Sequence, residues 1–137
     1  MVSAIDAISV ISNEKGLSLF KAVALSENYN SKMLRTKLNL TKRQYYSNIK
    51  KLVDVGLIKR CGGIYSITLF GKVVFNAYAK IETVSKDYWK LQALDSIMQS
   101  VDNRDFPAQE YQMIIDELID DPEIKDTLVQ TAVQRNL

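Results

Sequence analysis

Residues 40–68 read LTKRQYYSNIKKLVDVGLIKRCGGIYSIT, and the first half of this stretch predicts one amphipathic helix over about 41–55. Thr41 is a favoured N-cap type, because its hydroxyl can accept a hydrogen bond from an unpaired amide of the first turn. Gly56 is the residue type that most often ends a helix at the C′ position. The apolar residues recur at helical spacing and predict one buried stripe, made of Tyr45, Ile49, Leu52 and Val53.

The second half of the stretch predicts a β-hairpin. Residues 57–61 and 64–68 are short runs of β-prone side chains. They are separated by Gly62 and Gly63, a two-residue loop whose residues can adopt the positive φ angles that a tight hairpin requires. Two basic residues, Lys59 and Arg60, lie on the first strand.

The opposite side of the predicted helix is polar and basic. At about 100° per residue, the residues turned away from the apolar stripe are Arg43, Tyr46, Ser47 and Lys50, with Lys51 beside them. Further polar groups that can adapt to a ligand come from Gln44 and Asn48. A lysine-rich helix face is usually only solvated, and Tyr46 could instead pack on the preceding helix.

Helical patterns precede this stretch. An apolar residue at every third position predicts a short first helix, with the stripe Val2, Ile5, Ile8 and Ile11. Asn13 is placed to cap a second helix that ends near residue 25, and a compact third helix begins at Ser31. The predicted order is therefore three helices, a fourth over 41–55 and then the hairpin.

The chain after the hairpin is predicted to be entirely helical apart from one loop. An apolar pattern without proline predicts a single long helix from about residue 69 to residue 101. A loop at 102–106 precedes Pro107, which suits the first position of a helix. Asp121 and Pro122 begin a last amphipathic segment.

The charge is divided unequally along the chain. Residues 12–80 contain thirteen Lys and Arg against three Asp and Glu, whereas residues 81–137 contain five basic against twelve acidic residues. Such an asymmetry indicates that the first part contacts a polyanion and that the second part does not.

The composition excludes several functional classes. We expect a cytoplasmic protein, since no signal peptide or membrane span is evident. The chain has one cysteine, Cys61, and no histidine, so neither a metal site nor another cofactor is expected. It also lacks a glycine-rich phosphate loop and a G-x-S-x-G motif, which argues against an enzyme. The acidic residues at 116–123 are interpreted as a solvated face.

Three segments together resemble winged helix-turn-helix DNA-binding proteins of the bacterial and archaeal transcription regulator type. They are LTKRQYYSNIKKL at 40–52, VGLI at 55–58 and YSITLFGK at 65–72, and the resemblance covers residues 13 to about 80. The two-residue wing tip is short for this family. The expected fold is mainly α with a small β-hairpin wing, divided into a DNA-binding domain at 1–80 and a helical region at 81–137.

The resemblance implies that the helix over 41–55 enters the major groove of double-stranded DNA and that the wing, about 57–68, contacts the adjacent backbone. Arg43 is the candidate for base contact, because its guanidinium can bind a guanine at two atoms. The other candidate DNA-binding residues are Lys42, Gln44, Tyr46, Ser47, Lys50, Lys51, Lys59 and Arg60.

The long helix carries apolar residues beyond the region that the winged domain should cover. We expect these residues to form a seam between the subunits of a homodimer, through Ile81, Val84, Tyr88, Leu91 and Met98. In the alternative, the last two helices fold back on the long helix within a monomer. The alternative function is a winged-helix module that binds a protein in a transcription or other assembly without specific DNA binding.

Overall fold

The computed structural model describes residues 2–25, 30–100 and 108–135, and this part of the chain is mainly helical with one antiparallel β-hairpin. The elements are α1 Ala4–Ile11, α2 Glu14–Leu25, α3 Ser31–Lys37, α4 Lys42–Asp54, β1 Ile58–Cys61, β2 Ile64–Ile67, α5 Leu69–Lys86, α6 Tyr88–Ser100, α7 Ala108–Leu118 and α8 Pro122–Arg135. The chain divides into two compact units, Met1–Ala79 and Lys80–Leu137.

The core of the first unit lies between α2, α4 and the hairpin. Its fully buried large side chains are Leu19, Phe20, Leu34, Tyr45, Leu52, Leu57 and Ile58. Each such side chain contributes about 1.5–3 kcal/mol of hydrophobic stabilisation. Because α4 supplies two of them, together with Ile49, its rotation about its own axis is fixed by the core.

Both ends of α4 lie where the sequence predicts them. The Thr41 hydroxyl accepts from the Gln44 amide at 3.1 Å, and the Gln44 side chain accepts from the Thr41 amide, which completes a capping box. At the other end Gly56 has φ 78°, and its amide donates to Val53 while that of Leu57 donates to Leu52. This is the Schellman pattern of helix termination.

The turn between α3 and α4 uses the same termination pattern without a glycine. Asn39 has φ 52° and donates its amide to the Thr36 carbonyl, and the Leu40 amide donates to the Arg35 carbonyl. Asn30, the residue before the predicted start at Ser31, caps α3 by accepting from the Met33 amide. The connection from α3 to α4 is therefore a closed, hydrogen-bonded turn.

The predicted hairpin is confirmed, with Ile58 paired to Ile67 and Cys61 paired to Ile64. Gly62 and Gly63 have φ angles of 59° and 81°, as a type I′ turn requires. The Thr68 hydroxyl then donates to the Gly56 carbonyl and accepts from the Gly71 amide at 2.8 Å. These bonds join the end of α4 to the start of α5.

Two of the predicted apolar stripes, on α4 and on α1, are wrong in part. Val53 is exposed, because it lies about 100° around α4 from Leu52 and falls outside the buried stripe. In α1, which forms as predicted, Ala7 is buried and Val10 and Ile11 contact the core, while the predicted stripe residues Val2, Ile5 and Ile8 are exposed. A strict three-residue spacing drifts around a helix of 3.6 residues per turn, so those side chains do not share one face.

The single long helix predicted from residue 69 is wrong, because α5 ends at Lys86 and α6 begins at Tyr88. The Asp87 amide donates to the Val84 carbonyl at 3.0 Å, which is an i−3 bond in place of the i−4 bond of a continuing helix. Aspartate favours turns and caps over helix interiors. Val101, the predicted loop at 102–106 and Pro107 lie outside the described residues.

The second unit has a smaller core between α6, α7 and α8. Leu94, Tyr111, Ile115 and Ile119 are buried together. The predicted start of α8 is confirmed, since the Asp121 carboxylate accepts from the Glu123 and Ile124 amides. None of the helices in the described part of the chain is long and apolar enough to cross a membrane.

Candidate nucleic-acid interface

The outer face of α4 is basic and accessible. Because Tyr45, Ile49 and Leu52 are buried, the opposite side of the helix faces solvent. The exposed residues on α4 include six of the predicted site residues, Lys42, Arg43, Tyr46, Ser47, Lys50 and Lys51. The structure thus brings these six side chains to one rigid element.

Two further polar residues of α4 have structural roles. Gln44 is half-buried, and its side-chain carbonyl oxygen accepts the Thr41 amide at 3.1 Å, which leaves its NH₂ group for other contacts. Asn48 is only 7% exposed, and its side-chain NH₂ donates to the Gln44 backbone carbonyl at 2.8 Å. The prediction that Asn48 offers a polar edge to a ligand is therefore wrong, because its amide lies on the core side of the helix.

Tyr46 is accessible and contacts its neighbour on α4, so the predicted packing against the preceding helix is not what holds its ring. Its ring packs edge-on against Tyr45 with a centroid distance of 5.2 Å, and about half of its side chain remains accessible. It can therefore contact a ligand while its ring is held by a buried neighbour.

The two basic residues of the hairpin, Lys59 and Arg60, are both exposed on β1. In the hairpin register they pair with Ser66 and Tyr65. Both side chains are therefore accessible on the hairpin that follows α4.

The charge division coincides with the two structural units. Residues 1–79 contain twelve Lys and Arg against four Asp and Glu, and residues 80–137 contain six basic against twelve acidic residues. In the second unit, some lysines pair with carboxylates, as Lys80 does with Glu123 at 3.1 Å and Lys125 with Asp116 at 3.6 Å. The net positive charge is therefore concentrated on the unit that contains α4.

Two basic residues of α3 were not among the predicted site residues. Lys32 and Arg35 line a groove of about 220 Å³ between α3 and α4, together with Ser31, Lys42, Tyr45 and Tyr46. The spacing of three between Lys32 and Arg35 would have placed them on one side of a helix. Because α3 has only seven residues, its sequence is too short for a clear periodic pattern.

The structure separates the five predicted dimer residues into two groups. Ile81, Val84 and Tyr88 are exposed. Leu91 and Met98 are partly buried and pack against the core of the second unit in their own chain. The seam that the sequence predicts is therefore not a single open stripe, because α6 turns these two residues toward α7 and α8.

No group of three or more Cys, Asp or Glu side chains is arranged to hold a metal ion within residues 2–25, 30–100 and 108–135. Comparison with protein-family models, with curated proteins and with solved structures finds no match to this chain. The function of this chain is therefore inferred from its geometry and charge.

Proposed function

We propose that this protein is a sequence-specific, double-stranded DNA-binding transcription regulator of the winged helix-turn-helix type. The observation that carries the proposal is the exposed basic face of α4, on a helix that is capped at its N-terminus and fixed by the core. An α-helix fits the major groove of B-DNA, where base edges present donors and acceptors to its side chains.

The order of elements supports this assignment. α3 and α4 are joined by the tight turn through Asn39, and α4 leads directly into the hairpin at Gly56. In the winged helix-turn-helix arrangement α4 is the recognition helix and β1–β2 is the wing. The exposed Lys59 and Arg60 would then contact the backbone beside the groove.

The roles within α4 follow from side-chain chemistry. Arg43 carries a planar guanidinium that can donate two hydrogen bonds to one guanine, so it reads sequence. Lys42, Lys50 and Lys51 carry point charges on flexible chains, which suits contacts with phosphates. Ser47 and the NH₂ group of Gln44 supply shorter polar contacts.

A homodimer is part of the proposal, with α5 as the contact. Val73 and Ile81 are 69% and 64% exposed on α5, and Leu69 and Val84 are exposed on the same helix. Apolar side chains in such number on one helix are typical of a surface that another helix covers. A two-fold dimer would present its recognition helices to half-sites about 34–36 Å apart.

A second candidate is a winged-helix module that binds a protein partner. The exposed apolar side chains of α1, Ile5 and Ile8, favour this candidate because they add to the apolar surface of α5. Such a module would bind DNA only weakly and without sequence preference.

The experiment that tests the proposal is sequencing of genomic DNA fragments retained by the purified protein at moderate salt. A variant with Arg43→Ala and Lys50→Ala is compared with a matched control, Lys15→Ala and Lys86→Ala, which removes two exposed charges from α2 and α5. We expect wild type and control to enrich one palindromic motif that the α4 variant loses. Retention without sequence preference would contradict specific regulation and favour the protein-binding module.

A further inference from the structure

The groove between α3 and α4 is strongly cationic. Lys32 and Arg35 come from α3, and Lys42 is the first residue of α4. The described residues that line the groove include no carboxylate. None of the three cations forms an ion pair with an acidic residue of the described part of the chain. Their charges are therefore available to an anion.

A buried hydroxyl also lies at this groove. Tyr45 lines it, has 0% exposure, and its hydroxyl has no hydrogen-bond partner among the described residues. Native structures rarely leave a buried polar atom without a partner, because such an atom loses its bonds to water and gains nothing in exchange. An oxygen acceptor from a ligand would satisfy it.

The protonation state of this hydroxyl suits a donor. Burial raises the pKa of Tyr45 above its ordinary value of 10.0, and the nearby Ser31 hydroxyl, which does not meet hydrogen-bond geometry with it, offsets this only in part. Tyr45 therefore keeps its proton throughout the physiological pH range and can donate it to an anionic oxygen. Ser31, which also lines the groove, offers a second hydroxyl.

We propose that the α3–α4 groove binds a phosphate group, with Arg35, Lys32 and Lys42 neutralising its charge and the Tyr45 and Ser31 hydroxyls donating to its oxygens. A water molecule occupies about 30 Å³ in the liquid, so a groove of about 220 Å³ holds the five heavy atoms of a phosphate. The guanidinium of Arg35 suits two parallel hydrogen bonds to phosphate oxygens.

Two sources can supply this group. One is a backbone phosphate of bound duplex DNA, in which case the inference rests on the proposed function and adds an anchoring site beside the recognition helix. The other is a free phosphorylated small molecule, in which case the groove is a regulatory site. Both sources present the same chemistry to the same side chains.

The test begins with thermal unfolding of the full chain, titrated with inorganic phosphate against chloride at constant ionic strength. We expect phosphate to raise the Tm of wild type, because a ligand that binds only the folded state stabilises it. Arg35→Gln should weaken phosphate binding about tenfold and Tyr45→Phe about fivefold, as expected for losing one charged and one neutral hydrogen bond. Lys15→Gln, which removes an exposed charge away from the groove, is the control.

The proposal is overturned if phosphate shifts the Tm no more than chloride does, or if Arg35→Gln responds like Lys15→Gln. The Tm of each variant without phosphate shows whether it is folded. Tyr45→Phe retains the buried ring and removes only the unpaired hydroxyl, so we expect it to fold and to give an interpretable result.

A second measurement distinguishes the two sources, using displacement of a fluorescent duplex by inorganic phosphate at constant ionic strength. If phosphate displaces the duplex from wild type and much less from Arg35→Gln, the groove holds a backbone phosphate. If phosphate stabilises wild type without displacing the duplex, the groove takes a free phosphate compound. A protein that binds phosphate through Arg35 and binds no duplex would contradict the proposed function while leaving the groove site intact.

Discussion

Arg43 and Asn48 show how position around one helix decides what a polar residue does. Both lie on α4, yet Arg43 is exposed and Asn48 is buried with its amide bonded to the Gln44 carbonyl. The step of five residues from Arg43 to Asn48 corresponds to a rotation of about 140°, which carries Asn48 to the core side. Composition alone cannot separate the two roles, whereas the helical phase set by Tyr45 and Leu52 does.

Replacing Arg43 and replacing Lys50 should change DNA binding in different ways. Arg43→Ala should weaken binding to the best duplex by about 1–3 kcal/mol and relax the preference at one base position. Lys50→Ala should weaken binding to all sequences about equally and reduce the slope of log affinity against log salt by about 1. Fluorescence anisotropy with matched and mismatched duplexes over a range of salt concentrations measures both. Equal loss on every duplex from Arg43→Ala would remove its assignment to base contact.

Tyr45 gives a prediction about alkaline stability. Because burial raises its pKa in the folded state above 10.0, the unfolded chain loses this proton first as the pH rises. The contribution of Tyr45 to stability is therefore fully present below pH 10 and declines as the pH rises toward the folded-state pKa. The free energy of unfolding of Tyr45→Phe should not show this decline, because phenylalanine has no proton to lose.

The measurement is the free energy of unfolding of wild type and Tyr45→Phe between pH 7 and pH 11. At neutral pH without ligand we expect the variant to be at least as stable as wild type, since a buried unpaired hydroxyl costs about 1–3 kcal/mol. Above pH 10 wild type should lose stability faster than the variant. Parallel curves over the whole range would show that the hydroxyl is not buried in solution.

At the scale of elements, the exposed face of α4 depends on how its ends are fixed. The capping box at Thr41 and the Schellman termini at Asn39 and Gly56 leave little freedom in the entry to and exit from α4. The positive φ angles at residues 56, 62 and 63 were predictable, because each of these residues is a glycine. Asn39 was the less obvious case, because asparagine adopts the left-handed region only in some contexts.

We therefore expect substitutions at Asn39 to separate by their tolerance of positive φ. Asn39→Val should destabilise the protein by about 1–2 kcal/mol, the usual cost of a left-handed conformation for a residue with a bulky Cβ. Asn39→Gly should not destabilise it by this route. Chemical unfolding measures both, and Thr36→Val on α3 is a matched control in right-handed helix. A loss from Asn39→Gly as large as that from Asn39→Val would show that the asparagine side chain, and not the backbone angle, maintains the turn.

Across the whole molecule, the basic residues, the acidic residues and the exposed apolar residues lie in different parts of the chain. The basic residues are concentrated in the unit that contains α4, and the acidic residues in residues 80–137. The exposed apolar residues of α5, such as Val73 and Ile81, do not pack in either core. In the proposed dimer the second copy covers them.

Ile81→Glu tests this contact. A carboxylate placed in an apolar helix seam is desolvated on association, so the variant should sediment as a monomer of 15.6 kDa where wild type sediments as a dimer. Its affinity for a palindromic duplex should fall accordingly. Ser96→Glu adds the same charge to an exposed position of α6 and should remain dimeric. A monomeric wild type at micromolar concentration would remove the dimer from the proposal.

The local structure of the first unit could be predicted from short stretches of the chain. The caps at Asn13 and Thr41, the Gly56 terminus, the hairpin with its two glycines and the basic face of α4 follow from short-range rules, since each depends on a few adjacent residues. Short-range information also placed the helix start at Asp121.

Tertiary packing selects which face of each helix is buried. It buried Asn48, exposed Val53 and Ile5, and ended α5 before Asp87. It also turned Leu91 and Met98 toward α7 and α8, and it brought Lys32 and Arg35 beside Lys42. The physical reason is that burial depends on contacts between residues distant in the chain, and the periodicity of one segment does not specify which neighbour will cover it.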